Sequence, residues 1–323
     1  MKSLYSILSR LRFAATLLLC CFLSVQITAQ SEGDKEENPN LYTGVSAVIL
    51  KKDQTEINLV NSLSSFWIAV NDYNGEIQAT RITNRYRYSR ADHLLRVSHG
   101  FSKNGRWDLG ADLYYTRTRL DDEARSSALR VFGNSNSADG KTYNGVSAVG
   151  VQVRFMPFRK LPQLTLRAGL SQPLARSEEL RLRLNAQRTQ LFLSGVYSTR
   201  IGPSSLVFLQ ADLKSYLRTE ENKRALFVPS AAGYIVFETP NQQWFFFPGL
   251  SYNMVLQQGA KGSKYIKSSE SMFGNLGVLY RPNLKLSLLL SGQIPFIFES
   301  GSTRSIWVRE SYLGINLGAR YII

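Results

Sequence analysis

The first residues to test for chemistry are the two histidines and the polar groups near them. His99 and Ser102 lie three apart in His99-Gly100-Phe101-Ser102-Lys103-Asn104-Gly105-Arg106. A serine hydrolase needs its imidazole within hydrogen-bond reach of the hydroxyl, with a third group orienting the base. In an extended chain a spacing of three puts the two side chains on opposite faces. Asn104-Gly105 reads instead as a two-residue hairpin turn with positive φ at both positions. His93 is the only other histidine, so the sequence holds no His-rich metal site. Asp121-Asp122-Glu123 could hold a hard cation through loop oxygens, but a solvated acidic loop explains the same run. The expectation is therefore no enzyme, no catalytic or metal residue and no cofactor.

What remains is charge. The 323 residues carry a net charge of +15. Its most ordered part is a set of charges that face one side of successive strands: Arg96, Asp108, Asp112, Arg154, Arg167, Asp212, Lys214, Lys285 and Arg320. The elements that position them show a period of two, which sends alternate side chains to opposite faces of a strand. Trp107, Leu109, Ala111, Leu113 and Tyr115 share one face, with Asp108, Gly110 and Asp112 on the other. Val149, Val151, Val153 and Phe155 oppose Gly150, Gln152 and Arg154. The scheme repeats with Leu164, Leu166, Ala168 and Leu170, with Val207, Leu209, Ala211 and Leu213, through 284–294, and in a last strand of Leu313, Ile315, Leu317, Ala319 and Tyr321. In a soluble sandwich the apolar faces meet in a core. In a transmembrane barrel they meet lipid, and the charged faces line the interior.

The N-terminus favours the barrel. Lys2, Arg10 and Arg12 precede an apolar run from Phe13 to Val25, and Thr28-Ala29-Gln30 follows. That is a signal-peptide layout, 1–29, and the run is shorter than the roughly 20 residues an anchor helix needs. Cys20 and Cys21 lack the small residues of a lipoprotein site before them. Cleavage removes three basic residues and no acidic one, leaving +12, and it removes both cysteines. The exported chain then has no disulfide, thiolate nucleophile or Cys-based metal site. Export also argues against a nucleic-acid partner. A mean hydropathy of -0.17 excludes a polytopic helical membrane protein.

Residues 30–55 read as a flexible periplasmic lead-in and 56–323 as the barrel. Alternating segments begin near 56, 85, 106, 145, 163, 187, 205, 225, 243, 271, 283 and 307, about twelve strands, with both termini in the periplasm. The second and eighth alternate poorly and are candidates for a bulge or register break, so ten or fourteen strands stay open. Tight connections at 103–106, 158–162, 201–204, 240–242 and 281–283 alternate with mostly longer, polar ones at 121–144, 173–187, 219–223 and 257–269. Short turns on one side and long loops on the other are the outer-membrane pattern. Trp67, Trp107, Phe155, Phe158, Trp244, Tyr280 and Trp307 suit interfacial girdles. The fold class is an all-β, antiparallel up-and-down transmembrane barrel in the bacterial outer membrane.

Some of these segments carry a resemblance. Glu56-Ile57-Asn58-Leu59-Val60-Asn61-Ser62-Leu63, Trp107-Asp108-Leu109-Gly110-Ala111-Asp112-Leu113-Tyr114, Pro157-Phe158-Arg159-Lys160-Leu161-Pro162 and Asn316-Leu317-Gly318-Ala319-Arg320-Tyr321 resemble an uncharacterised family of Gram-negative outer-membrane barrels. That family is transporter- or porin-like and distantly similar to the barrel of meta-pathway phenol degradation. The resemblance implies location and fold, and transport by label. The stretch 99–106 superficially resembles one in outer-membrane phospholipase A. Leu317 to Ile323 resembles the C-terminal signal read by the barrel assembly machinery, ending in Ile rather than Phe. Other expected partners are outer-membrane lipid and lipopolysaccharide, met by cations such as Arg117, Arg119, Arg181 and Arg183, and a small-molecule solute.

Three functions fit these features. One is a passive or weakly selective conduit for small, anionic or amphiphilic solutes, with Arg154 and Arg167 setting anion preference. Another is a closed structural or surface-interaction barrel acting through its long loops, its lumen shut by paired charges. The third, a lipid hydrolase in the wall, has the weakest geometry. No large domain precedes the strands, which speaks against an energised, gated transporter.

Overall fold

The computed structural model describes residues 49–70, 84–123, 125–133, 140–175, 177–184, 186–217, 224–259, 265–300, 303–304 and 312–323. The signal peptide, most of the lead-in and Trp307 lie outside them. The strands are β1 (Thr55–Val70), β2 (Asn84–Gly100), β3 (Trp107–Asp121), β4 (Gly140–Phe155), β5 (Leu164–Pro173), β6 (Gln190–Gly202), β7 (Ser205–Tyr216), β8 (Leu226–Glu238), β9 (Trp244–Gln258), β10 (Tyr265–Tyr280), β11 (Leu286–Ser300), the two-residue β12 (Thr303–Arg304) and β13 (Leu313–Ile322). Each long strand pairs antiparallel with its sequence neighbours, and β13 pairs with both β11 and β1. The sheet thus closes into a barrel of twelve long strands, with β12 only extending the β11 edge. No described helix is long and apolar enough to cross a membrane.

Closure explains the alternation. Ile57, Leu59, Leu95, Val97, Leu109, Leu113, Val149 and Val151 are exposed on the outer face, while Glu56, Asn58, Arg96, Asp108, Asp112 and Arg154 are buried on the inner one. A water-soluble sandwich would show the reverse. Trp107, Trp244, Phe101, Phe158 and Tyr321 stand exposed at the end that holds the tight turns. There Trp244 stacks on Tyr280 at 4.4 Å, and Phe101 on Trp107 at 5.8 Å. They form the girdle of one membrane interface.

The hairpin at 102–105 differs from the sequence expectation. Only Gly105 has positive φ, at 59°, and its N–H donates to the Ser102 carbonyl. The turn is therefore a four-residue turn whose last residue, Gly105, is left-handed. Gln242 repeats this geometry between β8 and β9 with φ 54° and a bond from its N–H to Thr239.

The expected irregularities in the second and eighth strands also fall elsewhere. β2 holds one register with both neighbours. Its poor alternation comes from Arg87, Ser89, Ala91 and His93, which face outward beneath a loop. β8 likewise keeps its register, but its described ladder to β9 skips at 228–229 and 235–236, where Pro229 has no N–H to give and Pro248 lies opposite. True register shifts occur at Ser147 in β4, near Ile201 in β6, near Ser268 in β10 and near Phe296 in β11.

Two long loops are ordered. The β3–β4 loop forms a 3-10 turn, Ala128–Phe132, capped by Ser127. Its Ala128 and Val131 pack with Leu63 and Ala91 on the outer wall of β1 and β2. Under it Arg119 and Asp121 pair at 2.7 Å with almost no exposure, and Arg130 and Arg117 tie the loop to Asp121 and Gly133. Asp121 is thus spent on arginines and is not open to a cation, while Asp122 and Glu123 are exposed. The β5–β6 loop instead turns inward. It carries α1 (Glu178–Arg183), whose last carbonyl accepts from the inward Thr118, while Arg183 lies over the Tyr143 ring. Leu180 and Leu184 lie over the inner face of Gly145, and Leu184 is fully buried.

Candidate functional site: the barrel lumen

Cross-strand register builds the lumen. Asp108, Arg154, Arg167, Ser194, Asp212 and Ser230 are successive partners from β3 to β8, all pointing inward. At the turn-side end, Arg154 bonds both Asp108 at 2.8 Å and Glu56 at 3.1 Å. Glu56 also accepts from Arg320 at 2.7 Å. Beside this group Arg96 grips Asp112 with two bonds of 2.8 and 3.0 Å, and Tyr114 donates to the same carboxylate. All six charged side chains are nearly inaccessible. Such pairs are compensated rather than strongly stabilising, because desolvation offsets most of their attraction.

The chain ahead of β1 joins this group. The Leu50 amide donates to the free oxygen of Asp108 at 2.9 Å, and Leu50 is wholly buried. Its backbone crosses the inner face of Gly100, where any Cβ would meet the Lys51 carbonyl. Leu50, near the described end of the lead-in, is therefore pinned inside the lumen mouth, while Lys51, Lys52 and Asp53 are exposed. Opposite, Val196, Leu206, Phe208, Val236, Phe245, Phe247 and Leu279 form an apolar cluster on the inner faces of β6 to β10. The turn-side end of the lumen is thus packed, half by charge pairs and half by hydrocarbon.

Above it the lining changes. From β7 to β13 the inward residues include Gln210, Ser230, Ser251, Asn253, Ser291, Gln293 and Asn316, all part-exposed within the enclosing wall. Bonds such as Asn275 to Ser251 and Asn316 to Ser291 hold them. Between this arc and the charge pairs stand Arg167 and Lys214. Neither makes an ion pair or hydrogen bond among the described residues; Arg167 rests over the Phe192 ring at 4.9 Å.

The sequence-derived lining set divides accordingly. Arg96, Asp108, Asp112, Arg154 and Arg320 face inward and are locked in pairs. Arg167, Asp212 and Lys214 face inward and are accessible. Lys285 is a correction: it lies exposed in the turn before β11, where its carbonyl accepts from the Ile322 amide and its own amide donates to the Asn283 side chain. Alternation carried it inward on paper, but the strand begins one residue later. Glu56 and the Ser/Asn/Gln arc were missed because the search followed strand-centre charge, although the same alternation places them. The hydrolase pair is separated. His99 bonds Thr55 at 2.9 Å, and the Ser102 hydroxyl accepts from the Arg106 amide within the turn.

No family model and no curated relative matches the chain. Among solved structures, the COG4313 outer-membrane channel from Pseudomonas putida F1 matches with a TM-score of 0.57 at 13% identity, covering 90% of this chain and all of that one. The chain has the fold of a bacterial outer-membrane β-barrel. The β domain of the Bordetella autotransporter BrkA (TM-score 0.47, 11% identity, 83% and 99% covered) and the translocator domain of NalP from Neisseria meningitidis (0.43, 10%, 84% and 89%) match more loosely, and nothing here rests on them. At such identities the likeness carries the fold and not the cargo.

Proposed function

We propose that the protein is a passive, weakly selective outer-membrane conduit for small solutes, with preference for anions. The observation that supports this is the part-exposed Ser/Asn/Gln arc from β7 to β13, which leads to two inward cations, Arg167 and Lys214, that form no ion pair among the described residues and have the single carboxylate of Asp212 near them. A closed structural barrel has no need of either feature, since its charges can all be compensated as Arg154 and Arg96 are. Fixed charge in a narrow lumen selects ions of opposite sign. The inward α1 loop and the packed turn-side end narrow the path, which fits small cargo. The similarity to an outer-membrane channel agrees with this reading.

Bilayer recordings test it. Purified protein should give stable conducting steps with anion preference, and Arg167→Glu with Lys214→Glu should turn the preference toward cations. A folded barrel that stays electrically silent defeats the conduit; an unmoved reversal potential in the variant defeats the selectivity assignment.

A further inference from the structure

We propose that Arg167, Ser194 and Lys214 form a discrete binding site for the carboxylate of a small amphiphilic monoanion. This rests on the conduit reading, because the ligand reaches the site through the lumen. The three residues stand on adjacent strands: Arg167 faces Ser194, and Lys214 faces Phe192, two residues along β6. Each has donor capacity unused. The Nε of Arg167 and the Oγ of Ser194 are buried without a hydrogen-bond partner, and Ser194 is 1% exposed. The Lys214 ammonium has no described partner, although Asp212 and Arg167 lie within its electrostatic reach.

Asp212 sets the charge of the ligand. One of its oxygens accepts from Gln210 at 2.7 Å and lies 3.5 Å from the Ser230 hydroxyl, while the other is buried and unmatched. Two cations against one carboxylate leave a single positive charge, which a monoanion neutralises. A buried donor without a partner costs about 1–3 kcal/mol. A carboxylate can accept from Arg167, Ser194 and Lys214 together, as charge-assisted bonds.

The neighbourhood fixes the rest of the ligand. Phe192 walls the site beside Arg167. Toward the turn-side end, Asp212 is followed on β7 by Gln210 and Phe208, and Phe208 pairs with Tyr234 at the edge of the apolar cluster. Four residues of strand separate Asp212 from Phe208, about 13 Å. A carboxylate held between Arg167 and Lys214 can therefore lay a hydrocarbon tail along Ala232 toward the Phe208, Tyr234 and Phe247 rings.

Calorimetric titration of octanoate into the full exported chain in maltoside micelles tests the site, with octanol as the uncharged probe and empty micelles as blank. Octanoate should bind once per chain. Lys214→Gln should weaken it about 10-fold, and Arg167→Gln with Lys214→Gln about 100-fold, with octanol unaffected. Equal octanoate affinity in the double variant overturns the site, as does octanol binding as tightly as octanoate. Should the double variant fail to fold, the wild type still decides: high chloride must weaken octanoate and spare octanol, and salt-insensitive octanoate binding overturns the proposal. A chain that conducts without binding octanoate loses the site and keeps the conduit. Octanoate binding by a barrel silent in bilayers does the opposite.

Discussion

Arg154 and Arg167 are cross-strand neighbours with opposite fates. Arg154 has Asp108 and Glu56 within bonding distance, whereas Arg167 reaches no carboxylate and leans on a phenyl ring. Removing one partner from a buried charge group leaves the others uncompensated, at a cost of about 3–5 kcal/mol. Arg154→Gln should therefore lower the unfolding free energy of the barrel in urea sharply, while Lys214→Gln should leave it within about 0.5 kcal/mol of wild type. A matching loss in both would refute the division into locked and accessible charges. Sequence placed both arginines inward correctly, because alternation depends only on the pleat. It put them into one role because the acid that separates them, Glu56, is 98 residues from Arg154 along the chain. Side-chain pairing across the lumen has no local signature.

At the scale of elements, most strand starts were legible to within three residues, since hydrophobic period and turn residues are local properties; those expected near 145, 271 and 307 fall at Gly140, Tyr265 and Leu313 instead, all beside long loops. Loop placement was not. The loops at 121–144 and 173–187 look alike in sequence, both polar and arginine-bearing, yet one lies on the outer wall and the other enters the lumen. Small contacts decide it: Leu63 and Ala91 offer an apolar seat outside, and Leu180 and Leu184 settle over the inner face of Gly145 inside. Val131→Asp should unseat the outer loop by burying an unpaired charge. Trypsin should then cut after Arg125 and Arg130 far faster than in the wild type, with the barrel itself intact. Unchanged protease resistance would show that the Arg119 and Asp121 pair holds the loop alone.

For the whole molecule, the lumen is obstructed toward both ends by different means. On the loop side the obstruction is α1, a short segment held through Thr118, Tyr143 and two leucines. On the turn side it is strand-borne packing and the buried Leu50. Under the proposed conduit, replacing 178–183 by a Gly/Ser linker should raise single-channel conductance while leaving the proposed anion preference in place, because Arg167 and Lys214 stay on their strands. A conductance that does not change would place the limiting constriction at the turn-side end.

The outer loop has a consequence for how such a chain reaches its closed form. Until β13 arrives, β1 is an unpaired edge open to the wrong strand. The core of Leu63, Ala91, Ala128 and Val131 joins β1 and β2 to the β3–β4 connection through contacts that need no strand beyond β4. The first four strands can thus order as a unit that carries its own small core. That fixes the register of β1 and leaves it as the template on which the C-terminal strand completes the ring.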